Sequence, residues 1–187
     1  MSASKRDELV QKALRIFYRD GFHATGMDKL VKETGISKTS MYNHFRTKED
    51  LILAALRLRD ELFRNRMYRR VEELADDPKG QLEALFTSLD EWFHSEEFKG
   101  CMFIKASGEY PVHGTPIHNI SAEHKKLILS YVEEIATKAG AKEPNLLARQ
   151  LMLLKEGAIV TAHIQGPDGI ADDALSAAKV LIKEQLD

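Results

Sequence analysis

Five side chains in one short stretch, Lys38, Thr39, Tyr42, Asn43 and His44, carry groups suited to one kind of chemistry. Lys38 brings a cation, Thr39 and Asn43 bring short donors and acceptors, and Tyr42 and His44 bring rings that also hydrogen-bond. Such groups pair with phosphate oxygens and with the donor and acceptor pattern of base edges in a DNA groove. Positions 38, 39, 42 and 43 fall on one helix face, because residues three and four apart are neighbours on a helix. The face needs a rigid mount, and the flanking residues supply one. Gly35 sits where a first short helix must stop and reverse, a place where glycine accepts the left-handed backbone at little cost. Ser37 then offers an N-cap oxygen to a helix beginning near Lys38. Two short helices joined by a tight turn, with a third starting straight after, make a helix-turn-helix whose second helix enters a major groove. Lys38, Thr39 and Asn43 are then the candidates for base edges. Tyr42 and His44 suit the backbone or thymine methyls. Thr25 and Lys48 are expected to grip phosphates, through helix N-termini as well as side chains. Phe45 reads as core.

The punctuation around this stretch agrees. Ser4 with Asp7, Thr25 with Asp28 and Thr47 with Asp50 each match a capping box. Between them Leu9, Val10, Ala13, Leu14, Phe17 and Tyr18 recur at helical spacing, Gly21 closes that helix, and Phe22 follows as an apolar plug.

At these residues the chain resembles the tetracycline-repressor (TetR) family of bacterial transcription regulators. The resemblance is carried by Ala13-Leu14-Arg15-Ile16-Phe17, Gly21-Phe22, Thr25, Gly35-Ile36-Ser37-Lys38-Thr39, Met41-Tyr42-Asn43-His44-Phe45 and Thr47-Lys48-Glu49-Asp50-Leu51. Val31 and Thr34 stand where the family has alanines, so the two short helices are expected to pack slightly further apart. The resemblance implies an all-α fold with an N-terminal three-helix helix-turn-helix domain over residues 1–47. It implies a C-terminal helical effector-binding and dimerisation domain over 48–187, joined by the long helix that starts at 48. It also implies a homodimeric repressor released from a palindromic operator by a small ligand.

Charge supports the division. Residues 1–70 hold 16 Lys/Arg against 9 Asp/Glu, and residues 71–187 hold 11 against 20, so a net −2 chain divides into a basic head and an acidic body. That is the footprint of a nucleic-acid-binding module on a body that avoids DNA. With 187 residues and 43% hydrophobic content, the chain can build one large or two small cores. No run approaches a membrane span and no signal-peptide pattern is visible. The single cysteine, Cys101, leaves no internal disulfide and fits a reducing cytoplasm.

Helix signals continue to the end. A fourth helix is expected over 48–75, a fifth from Pro78 to Phe93, a short one over 101–109, and long ones over 116–139 and 144–165. The last starts near Asp172. The 144–165 helix is apolar nearly all round and must bury more than one face. Its spare face most simply meets a second copy of the chain, with the last helix beside it. Leu151, Leu154, Ala158 and Ala162, with Leu175, Ala178, Leu181 and Ile182, are the expected interface. A small-molecule pocket is mostly apolar with few polar anchors. Phe86, Leu89, Trp92, Phe93, Met102, Phe103, Tyr110 and Met152 are candidates to line it, with His113 and Glu156 among the polar candidates beside Glu109, His118, Lys155 and His163. Their make-up suggests a hydrophobic effector.

Other classes are weakly served. Ser176 and Lys179 match Ser-x-x-Lys, but in a packing helix. Glu109 and His113 have helical spacing, yet one pair is not a metal site, and His118 and His124 do not extend it. No phosphate loop or nucleophile elbow occurs, so neither an enzyme nor a cofactor is expected. The alternatives are a DNA-binding protein without an effector, and a sensor of oxidants or electrophiles built on Cys101.

Overall fold

The structure, a computed structural model, describes residues 4–187. Among these are nine α-helices and no strand. They are α1 (Lys5–Asp20), α2 (Met27–Thr34), α3 (Lys38–His44), α4 (Lys48–Leu74), α5 (Pro78–Phe93), α6 (Met102–Glu109), α7 (Pro116–Lys138), α8 (Pro144–Gln165) and α9 (Ile170–Leu186). The expected helices are all present, with ends within about two residues of where the punctuation put them.

The chain forms two compact units. Unit 1 takes the chain up to Phe63 together with Met102–His124, and unit 2 takes Arg64–Cys101 with Lys125–Asp187. The described residues 4–47 therefore lie wholly in unit 1, which also gathers the start of α4, all of α6 and the first part of α7.

Unit 1 is built on large buried side chains. Leu9, Ala13, Phe17, Phe22 and Leu30 are fully buried, and Met41 and Phe45 close the same core from α3. Full burial of each large side chain stabilises by roughly 1.5–3 kcal/mol. The Phe17 and Phe22 rings meet at 5.5 Å, which is why the residue after Gly21 acts as a plug. Ser4 caps α1 by accepting from the Asp7 N–H at 3.1 Å. Thr47 and Asp50 form a reciprocal box at the start of α4, each side chain accepting from the other's backbone N–H at 3.1 Å. The third expected box does not form. Gly26, not Thr25, is the N-cap of α2, and no side chain caps that helix. The Thr25 hydroxyl instead donates to the Gly21 carbonyl at 2.7 Å.

Unit 2 packs α5, α8 and α9 together. Leu82, Leu85, Phe86, Leu89 and Phe93 are buried from α5, and Leu147, Leu151, Ile159, Ala178 and Ile182 from α8 and α9. Asp77 caps α5 by accepting from the Gly80 N–H at 2.9 Å, with Pro78 in the first turn where its missing N–H costs nothing. Tyr68 of α4 stacks on Tyr131 of α7 with ring centroids 3.8 Å apart. Arg70 forks onto Glu91 through two nitrogens and adds Glu73 at 3.1 Å.

Candidate nucleic-acid interface

The turn between α2 and α3 follows the expected chemistry. Gly35 is left-handed, with φ 71° and ψ 9°. Ser37 caps α3 by accepting from the Ser40 N–H at 3.2 Å. Such a cap contributes about 1 kcal/mol, a large share of the stability of a seven-residue helix. Thr34 is not merely a bulkier alanine. Its buried hydroxyl donates to the Leu30 carbonyl at 2.7 Å and accepts from the Ile36 N–H at 3.1 Å, tying the last turn of α2 to the turn itself. Lys12 of α1 adds a bond to the Thr34 carbonyl at 2.8 Å. Asp20, held well below the usual carboxylate range by Arg19 and Lys29, links α1 to α2, and Arg19 also reaches Glu33 at 2.6 Å.

With its mount fixed, α3 buries Met41 and turns the other face outward. Lys38, Thr39, Tyr42, Asn43 and His44 are all exposed. Thr39, Tyr42, Asn43 and His44 have no hydrogen-bond or ion-pair partner among the described residues. Lys38 meets only the exposed Asp28, at 3.1 Å, and that carboxylate raises the lysine's pKa, so it stays cationic. Phe45 is buried, with the Arg6 guanidinium over its ring at 4.9 Å. The five residues singled out by type thus share one solvent-facing surface on a capped helix.

Two expected phosphate contacts are differently employed. Thr25 is fully buried and spends its hydroxyl on Gly21. Lys48 is half-buried, and its ammonium donates to the Phe22 carbonyl at 3.0 Å. Both hold the α1–α2 turn. The fully buried Thr25 side chain is therefore not a phosphate donor, because no solvent-facing atom remains. The same turn is gripped by Glu109, at the end of α6. Its carboxylate accepts from the Phe22 N–H at 2.9 Å and the His23 N–H at 2.5 Å, and its carbonyl meets the His23 ring at 3.0 Å. Gly21, with φ 86°, makes room: a Cβ there would sit 3.0 Å from the Glu109 carboxylate. Spacing within the sequence does not reveal this latch, because its partners are 87 residues apart.

The expected dimer-interface residues divide. Leu151, Ala158, Ala162, Ala178 and Ile182 are buried within the chain, so they face its own core. Leu154, Leu175 and Leu181 are half-buried. The apolar residues left in the open are Leu153, Val160 and Ile164 on α8, with Val180 on α9. A helix apolar all round does not say which side meets its own core, and burial shows that Leu151, Ala158 and Ala162 do. Gly157 lies on the open α8 stripe, with nothing near its Cα to obstruct a neighbour.

Of the expected pocket residues, Phe86, Leu89, Trp92, Phe93, Met102, Phe103 and Met152 are all buried. His113 is exposed, its ring 4.2 Å from that of His118. Tyr110 lines a cavity within unit 1 of about 460 Å³. Glu156 lies in a charged knot within unit 2. Lys125 meets it at 2.5 Å and Lys155 at 3.0 Å. Burial pushes the Glu156 carboxyl up, but the two ammoniums overcome this and hold it at about 2. Burial pushes Lys155 down, only partly offset by Glu156. Lys125 also donates to the Cys101 sulfur at 3.3 Å. His124 is a core histidine, with Nδ1 2.7 Å from Asp60 and its ring stacked on Phe103 at 3.7 Å.

A capped helix that offers unpartnered polar side chains beyond a glycine turn defines a helix-turn-helix DNA-binding protein. Residues 9–55 match the family model described as bacterial regulatory proteins, tetR family. Those residues hold the helix-turn-helix, and the chain is a DNA-binding transcriptional regulator similar to that family. It is 21% identical over 182 residues to the HTH-type transcriptional regulator YjdC of Escherichia coli, covering 96% of this chain and 94% of that protein. It is 27% identical over 140 residues to the HTH-type transcriptional regulator LmrA of Bacillus subtilis, covering 74% of each. The fold matches the crystal structure of a TetR-family transcriptional regulator from Streptomyces coelicolor with a TM-score of 0.90 and 27% identity, over 97% of this chain and 90% of that one. These relatives are regulators, not enzymes. Regulators of this family bind DNA and act as dimers. No helix among the described residues is long and apolar enough to cross a membrane.

Proposed function

We propose that the chain is a cytoplasmic, homodimeric repressor that binds a palindromic operator and is released by a small hydrophobic ligand. The observation that carries the reading is the outward face of α3, where Thr39, Tyr42, Asn43 and His44 are exposed and unpartnered beside Lys38. In this assignment Lys38, Thr39 and Asn43 read base edges, while Tyr42 and His44 contact the backbone or thymine methyls. Lys48 contributes by holding the α1–α2 turn, and phosphate contact there falls to helix N-termini. The second subunit packs on Leu153, Gly157, Val160 and Ile164 of α8 and Val180 of α9, a stripe with the spacing of one helix face. Two heads about the resulting two-fold axis read half-sites about 34 Å apart. The effector shifts DNA affinity only by its differential binding to two conformations.

The test joins assembly and DNA binding. Sedimentation of the wild type should show a dimer, and Leu153→Asp with Ile164→Asp should give folded monomers that lose operator affinity. Folded monomers that bind the operator as tightly as wild type would refute the symmetric reading.

One contact favours a second reading, in which a thiol-reactive electrophile is the signal. The Lys125 ammonium donates to the Cys101 sulfur at 3.3 Å, so a cation stands beside the atom that would attack. Addition to an activated alkene forms one S–C bond and leaves the thiol proton on the adjacent carbon, so no oxidant is needed. N-Ethylmaleimide should add one equivalent at Cys101 and weaken DNA binding, with Cys101→Ser unaffected. Unchanged DNA binding after complete modification would exclude this reading.

A further inference from the structure

Between the first turns of α4 and the link from α6 to α7, unit 1 holds an open-sided cavity of about 460 Å³. That volume lies within the range of small-molecule sites, roughly 300–1,000 Å³. Its apolar wall is made by Leu53, Pro111, Val112 and Ile117, with the Tyr110 ring beside them. All its charged lining residues are acidic: Glu49, Asp50 and Glu109.

The three carboxylates are not equivalent. Glu109 is occupied with the Phe22 and His23 N–H groups, and Asp50 with the Thr47 N–H. Glu49 makes no hydrogen bond or ion pair among the described residues. A helix N-terminus on its own disfavours a cation. Here it carries two adjacent carboxylates and faces a third, and together they reverse the local sign. Tyr110 adds a second, independent mark. Its hydroxyl is the one buried side-chain polar atom without a hydrogen-bond partner among the described residues. Such orphans are rare in folded proteins. Burial, with Glu49 and Glu109 nearby, pushes this hydroxyl up to about 12, so the ring stays neutral and adds no charge that would compete for a cation.

We propose that this cavity binds a hydrophobic organic cation, an alkyl- or arylalkylammonium, with its ammonium at Glu49 and its hydrocarbon against Leu53, Val112 and Ile117. The bound molecule braces the start of α4 against the α6–α7 link. Both elements also hold the α1–α2 turn, through Lys48 and Glu109. The site is separate from the recognition face, and its test uses no DNA, so it stands or falls apart from the repressor reading.

The test is calorimetric titration of the full chain at pH 7 with 4-phenylbutan-1-amine and with its neutral counterpart 4-phenylbutan-1-ol. The amine should bind saturably and about tenfold more tightly than the alcohol, a difference of about 1.4 kcal/mol. Glu49→Gln, an exposed substitution that leaves folding intact, should erase that preference while the alcohol still binds. Leu53→Trp, which fills the cavity, should abolish both, and Thr115→Trp serves if the first variant folds poorly. Equal affinity for amine and alcohol, no binding of the amine, or amine binding that survives both Glu49→Gln and the filled cavity would overturn the assignment.

Discussion

On α3, Thr39, Tyr42, Asn43 and His44 stand in solvent with no internal partner, whereas in unit 2 Lys155 is buried against Glu156, which Lys125 also holds. Both regions hold polar or charged residues whose types make them candidates for binding. Their environments separate them. Unpartnered and exposed groups are available to another molecule, and a face of them on a rigid mount is a recognition surface. Buried charges satisfied by one another have little left to offer, and their role is to hold the fold in one arrangement. Thr25 and Lys48 lie between these extremes: they border the recognition helix, yet their polar atoms are turned inward onto the α1–α2 turn.

The comparison breaks most visibly at Glu156. Glu156→Gln leaves two ammoniums without their shared carboxylate and should cost about 3–5 kcal/mol, read by urea denaturation at pH 7. A loss under 1 kcal/mol would mean the knot is not structural. The same residue predicts an acid limb. Its folded pKa of about 2 lies below its ordinary 4.5, so its contribution is complete above pH 4.5 and is lost as pH falls towards 2. The stability gap between wild type and Glu156→Gln should therefore narrow across that window. A constant gap would contradict the charged pairing.

On α3 the expected effects fall on binding instead. Asn43→Ala should weaken operator binding by about 1–3 kcal/mol and relax preference at one base pair, with the melting temperature unchanged. A stability loss without a change in sequence preference would move Asn43 to the structural class. Lys48→Met sharpens the intermediate case. It should lower stability by about 1 kcal/mol, the worth of one hydrogen bond, and leave the salt dependence of DNA binding unchanged. A salt slope reduced by about one would return Lys48 to the phosphate backbone.

The sequence disclosed what local physics decides. Gly35, Ser37 and the Thr47–Asp50 box stop and start helices through contacts a few residues away, so these boundaries and the outward face of α3 could be read directly. Side chains with a choice of partners were less legible. Thr25 looked like a cap because Asp28 stood three residues on, but the Gly21 carbonyl was the better acceptor once α1 ended there. The latch of Glu109 on Phe22 joins residues 87 apart, and no periodicity encodes it. On α8, apolar residues on every side announced two buried faces without saying which was which. Only the packing of α5 and α9 identifies Leu153, Val160 and Ile164 as the open stripe.

The central claim is that α3 presents a sequence-reading face in a two-fold pair. Selection of bound duplexes from a random pool by the purified protein, followed by binding titrations across salt, tests it most directly. The account predicts a palindromic consensus with half-sites about one helical turn apart and a steep fall in affinity with salt, with the preference at one position in each half-site lost in Asn43→Ala. Recovery of no consensus, or of one indifferent to every residue on the outer face of α3, would contradict it.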